Sequence, residues 1–596
     1  MRVCKLFGGN MSENKNNMKP CESFKGFGGL DVTSPIGSGR LQRLKNFKLL
    51  QDGSVIKRSG FSHFCTLDGE IRGEKVYSDR GDEVILAVVG QYLFRIGVVD
   101  GSVESSLVFE SSDGKVSFFE YMGELYILDS FRLYRYLGGV ETEICSVYAP
   151  LYGKDWKADD RRGVVNEPVN ALGPRIRITY QANSSRVNFL YVGRRIGSVD
   201  ALYGNGVLIP QSYYTLNSDR TEITFHEYYF SGELCAYITL DGDQFRDQGL
   251  EACDECYVFD AFECSRVFAY GSSERGKLYV TAPVDEADVA KQTELYGRTE
   301  PLYFPKGEAI CFSAANGISA ISRMYDRVLI FSEFKTWFTS SLRTSEGRAR
   351  RGLLLSSATD TVGCPSSNAV SLASGDSPVT VSHGGVYKWS IDEEFEEEVS
   401  LSCLSEAVNS CFDRDFVKNA LVCRNRGENE LWFADPTSSE GNVFVYNLES
   451  KLWYLYDGIN AERLFEVGES VAFRKGQSYY VFRGEEGYDC FEDHERDIEA
   501  LIESANFELS SPGKLKHISR VCAVCELDGG EIILKLVANH EIFNRALSSG
   551  EASGKHSAAD VFDIRTRTCR VGNVRFLLLA PGQSRQRIYS LDFYTS

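Results

Sequence analysis

The chain has 596 residues, 43% hydrophobic and 25% charged, a composition that excludes dominant disorder and suggests about three to four domains. Its formal net charge of −19 excludes nucleic-acid recognition built on Lys and Arg neutralising phosphates, while leaving room for a wall past which DNA slides without sticking. The 31 Tyr, 37 Phe and 54 Gly favour half-buried pleated faces joined by tight turns, and so predict an all-β fold.

No run of about 18 apolar residues occurs, so no membrane-spanning helix is expected. The opening, Met1 to Gly9, lacks the apolar stretch of a secretory signal. Seventeen cysteines, an odd number without a repeating framework, fit synthesis in a reducing cytosol.

Residues 1–26 read as an N-terminal arm. From residue 27 onward, strand-like segments with period-2 alternation recur and no long segment has helical period. Val84–Val89 and Tyr92–Ile96 form a hairpin across Gly90, and Val116–Gly123 with Glu124–Asp129 repeats the form. Short hairpins ending in aromatics, spread over hundreds of residues, predict a β-propeller, first over 27–147 and again over 251–490. Between these parts, 148–250 reads as an inserted β-sandwich, with strands at Arg175–Tyr180 and Glu222–Phe225 and turns at Asn205-Gly206 and Asp219-Arg220. Residues 491–596 read as a C-terminal β-sandwich containing Glu531–Val537 and Arg587–Phe593. The acidic run Asp392–Glu398 reads as a solvated loop. A set of stacked sandwiches is the alternative architecture for the same pattern.

The chemistry-bearing residues form few sets. Cys253 and Cys256 flank a turn with Cys264 nearby, a spacing that admits a weak metal site but reads as ordinary thiols. Cys522 and Cys525 lie in one strand, where alternation aims them at opposite faces. The seven histidines show no zinc-protease spacing, and neither a nucleophile elbow nor a Walker loop occurs. Gly26-Phe27-Gly28-Gly29 reads as a turn, as does Asp241-Gly242-Asp243, which lacks the rest of a calcium loop. No catalytic, cofactor-binding or metal-ligating residue is therefore assigned, and no cofactor is expected.

One set of short elements runs in order along the chain. Phe27-Gly28-Gly29-Leu30 leads to Leu44-Lys45-Asn46-Phe47, then Asp52-Gly53-Ser54-Val55 and Lys57-Arg58-Ser59-Gly60-Phe61. Later come Tyr296–Pro305, Phe331–Trp337, Val362-Gly363-Cys364, Ser382–Tyr387, Leu452–Asp457 and Ser511–His517. This series resembles the propeller-containing tail tube, nozzle and packaged-DNA-stabilising proteins of tailed bacteriophages, with Ser59 standing where that family usually has proline. On this reading Asp52-Gly53 turns the first hairpin and Lys57-Arg58 mark an exposed strand end.

The resemblance implies a structural virion protein, assembled in the host cytoplasm and not an enzyme. It would form a homo-oligomeric, six-fold ring in the nozzle or head–tail connector, contacting the portal-proximal adaptor and other tail proteins and conducting DNA through its lumen during ejection. The competing reading is a propeller that binds or hydrolyses carbohydrate, which predicts an axial pocket lined by aromatics and paired carboxylates. A tail-fibre or baseplate adaptor is a further alternative.

Overall fold

The computed structural model describes residues 22–595 except 26, 34–39, 130–131, 145–148, 153–168, 183–187, 227–231, 243–245, 261–263, 272–275, 284–289, 291–293, 295–301, 313–316, 341, 343–352, 374, 392–398, 483–491, 495, 508–514, 517, 529, 539–540, 549–556, 563–568 and 571–573. The expected arm up to residue 21, the acidic run Asp392–Glu398, Asp243 and most of Ser511–His517 lie outside the described residues. The chain is all-β and divides into two compact units. No described helix is long and apolar enough to cross a membrane.

The larger unit comprises His63–Gly441 and Asn460–Val481. Its repeated motif is the antiparallel meander, as in Ile71–Asp79, Asp82–Val89, Tyr92–Gly97 and Val103–Leu107. The next meander starts at Ser117–Tyr121, and others start at Glu255–Phe259, Ala320–Met324 and Val370–Leu372. Two further first strands are Leu421–Asn425 and Arg463–Val467.

Each of these seven first strands adjoins the next, and Arg463–Val467 adjoins Ile71–Asp79, so the series closes on itself. That closed circle defines a seven-bladed propeller. Alternation explains why it holds: Val84, Leu86 and Val88 face the second blade's Leu125, Ile127 and Tyr134, while Ile85 and Ala87 face Phe465 and Tyr479 of the seventh. Both faces of the strand Asp82–Val89 are thus buried, which accounts for its continuous apolar run. The seventh blade, led by Arg463–Val467, takes in chain from before the first. Leu67 donates its backbone N–H to Gln477, and the Thr66 and Ser478 hydroxyls pair at 2.9 Å.

Between the second and third blades stand two sheets packed face to face. One holds Arg175–Ala182, Gly232–Leu240 and Ile196–Gly204; the other holds Phe189–Tyr191, Glu222–Phe225 and Tyr214–Leu216. Ile176, Ile178, Leu190, Ile223, Leu234 and Ile238 fill the space between them. The segment Leu302–Pro305 ties this insert down: Asn170 donates to Leu302 O (3.0 Å) and accepts from Phe304 N (3.1 Å).

The smaller unit comprises residues 1–62, 442–459 and 482–596. The expectation that residue 27 opens the propeller therefore needs correction. The described part of 27–62 and the strands Val443–Asn447 and Trp453–Tyr456 fall in this unit with the C-terminal strands, to which they are linked by strand pairing. Leu41–Lys45 lies between Trp453–Tyr456 and Ala500–Ser504 in one sheet. Val55–Lys57 pairs with Gln586–Thr595 in the other. Phe24 packs edge-on against Phe507 and Phe576, with centroids 4.8 and 5.1 Å apart, and Phe593 packs edge-on against Phe507 at 5.3 Å and tilted against Phe576 at 6.0 Å.

Candidate functional site

In the smaller unit the scattered motif residues converge on one buried polar node. Asn46 sits between the strands Leu41–Lys45 and Phe47–Leu49 with φ of 56°, a left-handed conformation that Asn tolerates. Its side-chain oxygen accepts from Arg58 Nε (2.9 Å) and from Asp457 N (3.0 Å), and its amide donates to Glu499 O (2.8 Å) and to Asp457. Arg58 grips both oxygens of Asp493, the shorter contact at 2.5 Å, and donates to Asp457 O at 2.9 Å. Its guanidinium lies 5.5 Å from the Tyr456 ring centroid. Lys45 pairs with Asp457.

Arg58 and Asp493 are both buried, and Lys57 is buried beside them, its ammonium donating to the carbonyls of Ala580 (3.4 Å) and Gly582. The expected exposed strand end at Lys57-Arg58 is therefore overturned. The reason is that Gln586–Thr595 covers this hairpin, and each cation meets carbonyls or a carboxylate on arriving in the interior. Burial pushes the Lys57 ammonium down to about 8, against the pull of Asp497, Asp493 and Glu499.

The same economy explains two motif glycines. At Gly29, with φ of 76°, a Cβ would sit 3.0 Å from Leu452 Cβ and 3.2 Å from Trp453 O. At Gly363 a Cβ would lie 2.1 Å from Ser332 O, and the adjoining Cys364 donates its N–H to that same oxygen at 2.9 Å. The Asp52-Gly53 turn is as expected, with Asp52 accepting from Ser54 and from Arg587.

The propeller unit carries a half-open axial cavity of about 630 Å³. Phe118, Tyr257, Tyr270 and Phe465 contribute apolar surface, and Glu74, Glu255, Glu462 and Glu466 contribute carboxylates. Each carboxylate faces a cation. Arg474 stands between Glu74 (3.0 Å) and Glu462 (2.8 Å), with Tyr479 also donating to Glu74. Lys115 and the Ser367 hydroxyl hold Glu255, and Arg426 holds Glu466, whose pKa is nevertheless raised by burial. A general acid–base pair needs carboxylates able to trade protons with a substrate, and here the wall holds them as ion pairs.

The three cysteines singled out by spacing are divided between cores. Cys253 and Cys256 share an apolar cluster with Phe119 and Tyr279, whereas Cys264 packs with Phe259 and Phe268 in another. Among the described residues no group of three potential ligands gathers as a metal site would require. Burial holds the Cys256 thiol well above its usual range. Cys525 is buried; the side chain of Cys522 lies outside the description. Asp493, the central carboxylate of the node, lies in no motif.

No protein-family model and no curated protein matches the chain. Solved structures similar to it include BBS1N, crystallised in complex with ARL6DN, at 10% identity over 72% of this chain and 98% of that one, with a TM-score of 0.26. Another is the extracellular domain of the BT4673 one-component system of B. thetaiotaomicron, at 9% identity over 92% of this chain and 79% of that one, with a TM-score of 0.24. At such scores the architecture rests on the chain's own strand pairing.

Proposed function

We propose that this chain is a structural subunit of the tail of a tailed bacteriophage, one copy of a ring in the nozzle or head–tail connector through which DNA leaves. The observation that carries the reading is the convergence of Lys45, Asn46, Arg58 and Asp457. These residues come from three elements of the family-like series, and they are spent on holding remote segments together. A signature whose residues are consumed in internal bonds suits a protein selected for shape. The cation-bound carboxylates of the axial cavity also favour it over a glycan-hydrolysing propeller. Subunits in such a ring would meet through heterologous patches, and the net charge of −19 would keep DNA from adhering to the lumen.

The test is quantitative mass spectrometry of purified virions, scoring this chain against the portal protein. A fixed ratio of about one copy to two of the portal protein is the expected result for a closed connector ring. Absence from particles, with the protein free in the lysate, would overturn the proposal.

A further inference from the structure

Beside the mouth of the axial cavity, the first blade carries a second concavity, an open groove of about 790 Å³. One wall is aromatic. Tyr92 is 47% exposed, and its ring leans on that of Phe94 with centroids 6.4 Å apart. The other walls are the turn carrying Asp68 and Glu70 and the loop carrying Ser112 and Asp113. All four of these side chains belong to exposed residues.

The groove is built on a buried arginine. Arg72 donates to the carbonyls of Gly90 (2.7 Å), Ser111 (2.8 Å), Asp113 (2.6 Å) and Gly114 (2.8 Å), and its remaining contact is the buried carboxylate of Asp129. One guanidinium thus ties the turn at Gly90, from which the aromatic wall starts, to the loop carrying Ser112 and Asp113, so a ligand would not have to order that loop.

We infer that this groove binds an oligosaccharide of neutral or amino-bearing sugars, stacked on Tyr92 and hydrogen-bonded through its hydroxyls to Asp68, Glu70 and Asp113. The volume falls within the range of small-ligand sites, about 300–1,000 Å³. A flat, half-exposed aromatic ring offers an apolar face to the C–H side of a pyranose. Carboxylates opposite it accept from neighbouring hydroxyls, two oxygens to a group.

Charge sets the sugar class. The cations at the groove already hold carboxylates, Arg72 that of Asp129 and Lys115 that of Glu255. Asp68, Glu70 and Asp113 therefore leave the rim negative, and acidic sugars and nucleic acid are repelled. An extended peptide is disfavoured for a different reason: the floor carbonyls are already engaged by Arg72, leaving main-chain recognition few partners.

The experiment is calorimetric titration of the full chain with three probes: chitotriose, its deacetylated and cationic trimer, and trigalacturonic acid. The expected order is deacetylated trimer tightest, chitotriose weaker, and trigalacturonic acid without measurable binding. Tyr92→Ala, a surface change that leaves the thermal midpoint in place, should weaken both binders about tenfold or more. Asp113→Asn should reduce the preference for the cationic trimer while chitotriose still binds. Three results would overturn the inference. They are no binding of either trimer at about 10 mM, affinity unchanged by Tyr92→Ala, or trilysine bound with Tyr92 dependence while neither trimer binds.

Discussion

The two units place most of their ion pairs differently, the buried Arg72–Asp129 pair of the first blade aside. In the smaller one, Arg58, Asp493 and Lys57 lie inside, and their bonds run to segments hundreds of positions away. In the propeller unit, Lys75, Lys115 and Arg474 line a cavity and pair with Glu120, Glu255 and Glu74 of neighbouring blades, the first two pairs at partly exposed positions. The contrast shows where ionic groups are irreplaceable. Seven repeated blades are held by apolar faces, so their rim charges are supplementary. The smaller unit is assembled from three stretches of chain, and its node marks where they join.

The largest expected effect therefore comes from Arg58→Ala, which leaves Asp493 buried without its cation and removes one of the two donors to the Asn46 side-chain oxygen. Breaking such a pair costs about 3–5 kcal/mol. Denaturant unfolding followed by hydrogen exchange should show lost protection in Leu41–Lys57 and Trp453–Tyr456, with Ala320–Phe331 of the propeller unchanged. A companion Arg58→Met/Asp493→Leu variant should recover most of the loss, since the penalty lies in the orphaned charge. A midpoint shift of less than about 0.5 kcal/mol in Arg58→Ala would mean the node is solvated and the comparison between units is misplaced.

How far the sequence foretold this differs between the units as well. Period-2 alternation and the hairpin turns mark the strands of a blade such as the first, because it is local: its strands pair with their immediate neighbours in the chain. The motif series also picked out Asn46, Arg58 and Asp457. It did not reveal their burial, because an isolated hairpin looks the same whether its outer face meets water or another strand. The strand that covers Val55–Lys57 is Gln586–Thr595, at the far end of the chain. Asp493 is 435 residues from Arg58 and has no motif around it, so nothing local marks it as the partner. A Lys-Arg pair followed by a turn ordinarily signals an exposed edge. Here nonlocal pairing overrides that signal.

Lys57 sharpens the comparison at an intermediate scale. Unfolded, its ammonium keeps the proton up to about 10.5; folded, it keeps it only up to about 8. Between those values the unfolded chain binds more protons, so stability of the smaller unit should rise with pH through this window, and below pH 8 the buried charge is a net burden. Lys57→Met should remove that rise and be more stable than the parent at pH 7, by about 1–2 kcal/mol. The variant and the parent should be compared as a difference curve from pH 6 to about 10.5, which cancels the other titrating groups. A constant difference across the window would show that Lys57 holds its proton normally in the fold, with the carbonyls of Ala580 and Gly582 offsetting its burial.

The smallest effect should come from the propeller unit's rim. Lys75 and Glu120 lie 3.2 Å apart on the first strands of adjacent blades, with side chains 30% and 52% exposed. Water competes for both partners, and holding two long side chains together costs rotamer entropy, so a double-mutant cycle of Lys75→Ala and Glu120→Ala should give a coupling of only about 0.2–0.5 kcal/mol. Raising ionic strength to about 1 M, where the Debye length is about 3 Å, should abolish it. The Arg58–Asp493 coupling, shielded from ions by its burial, should persist under the same salt. If both couplings vanished in salt, burial could not be what separates the two units. If the rim pair proved as strong as the buried one, the blades would depend on charge as much as the joined segments do, and their apolar faces alone would not account for the closed circle.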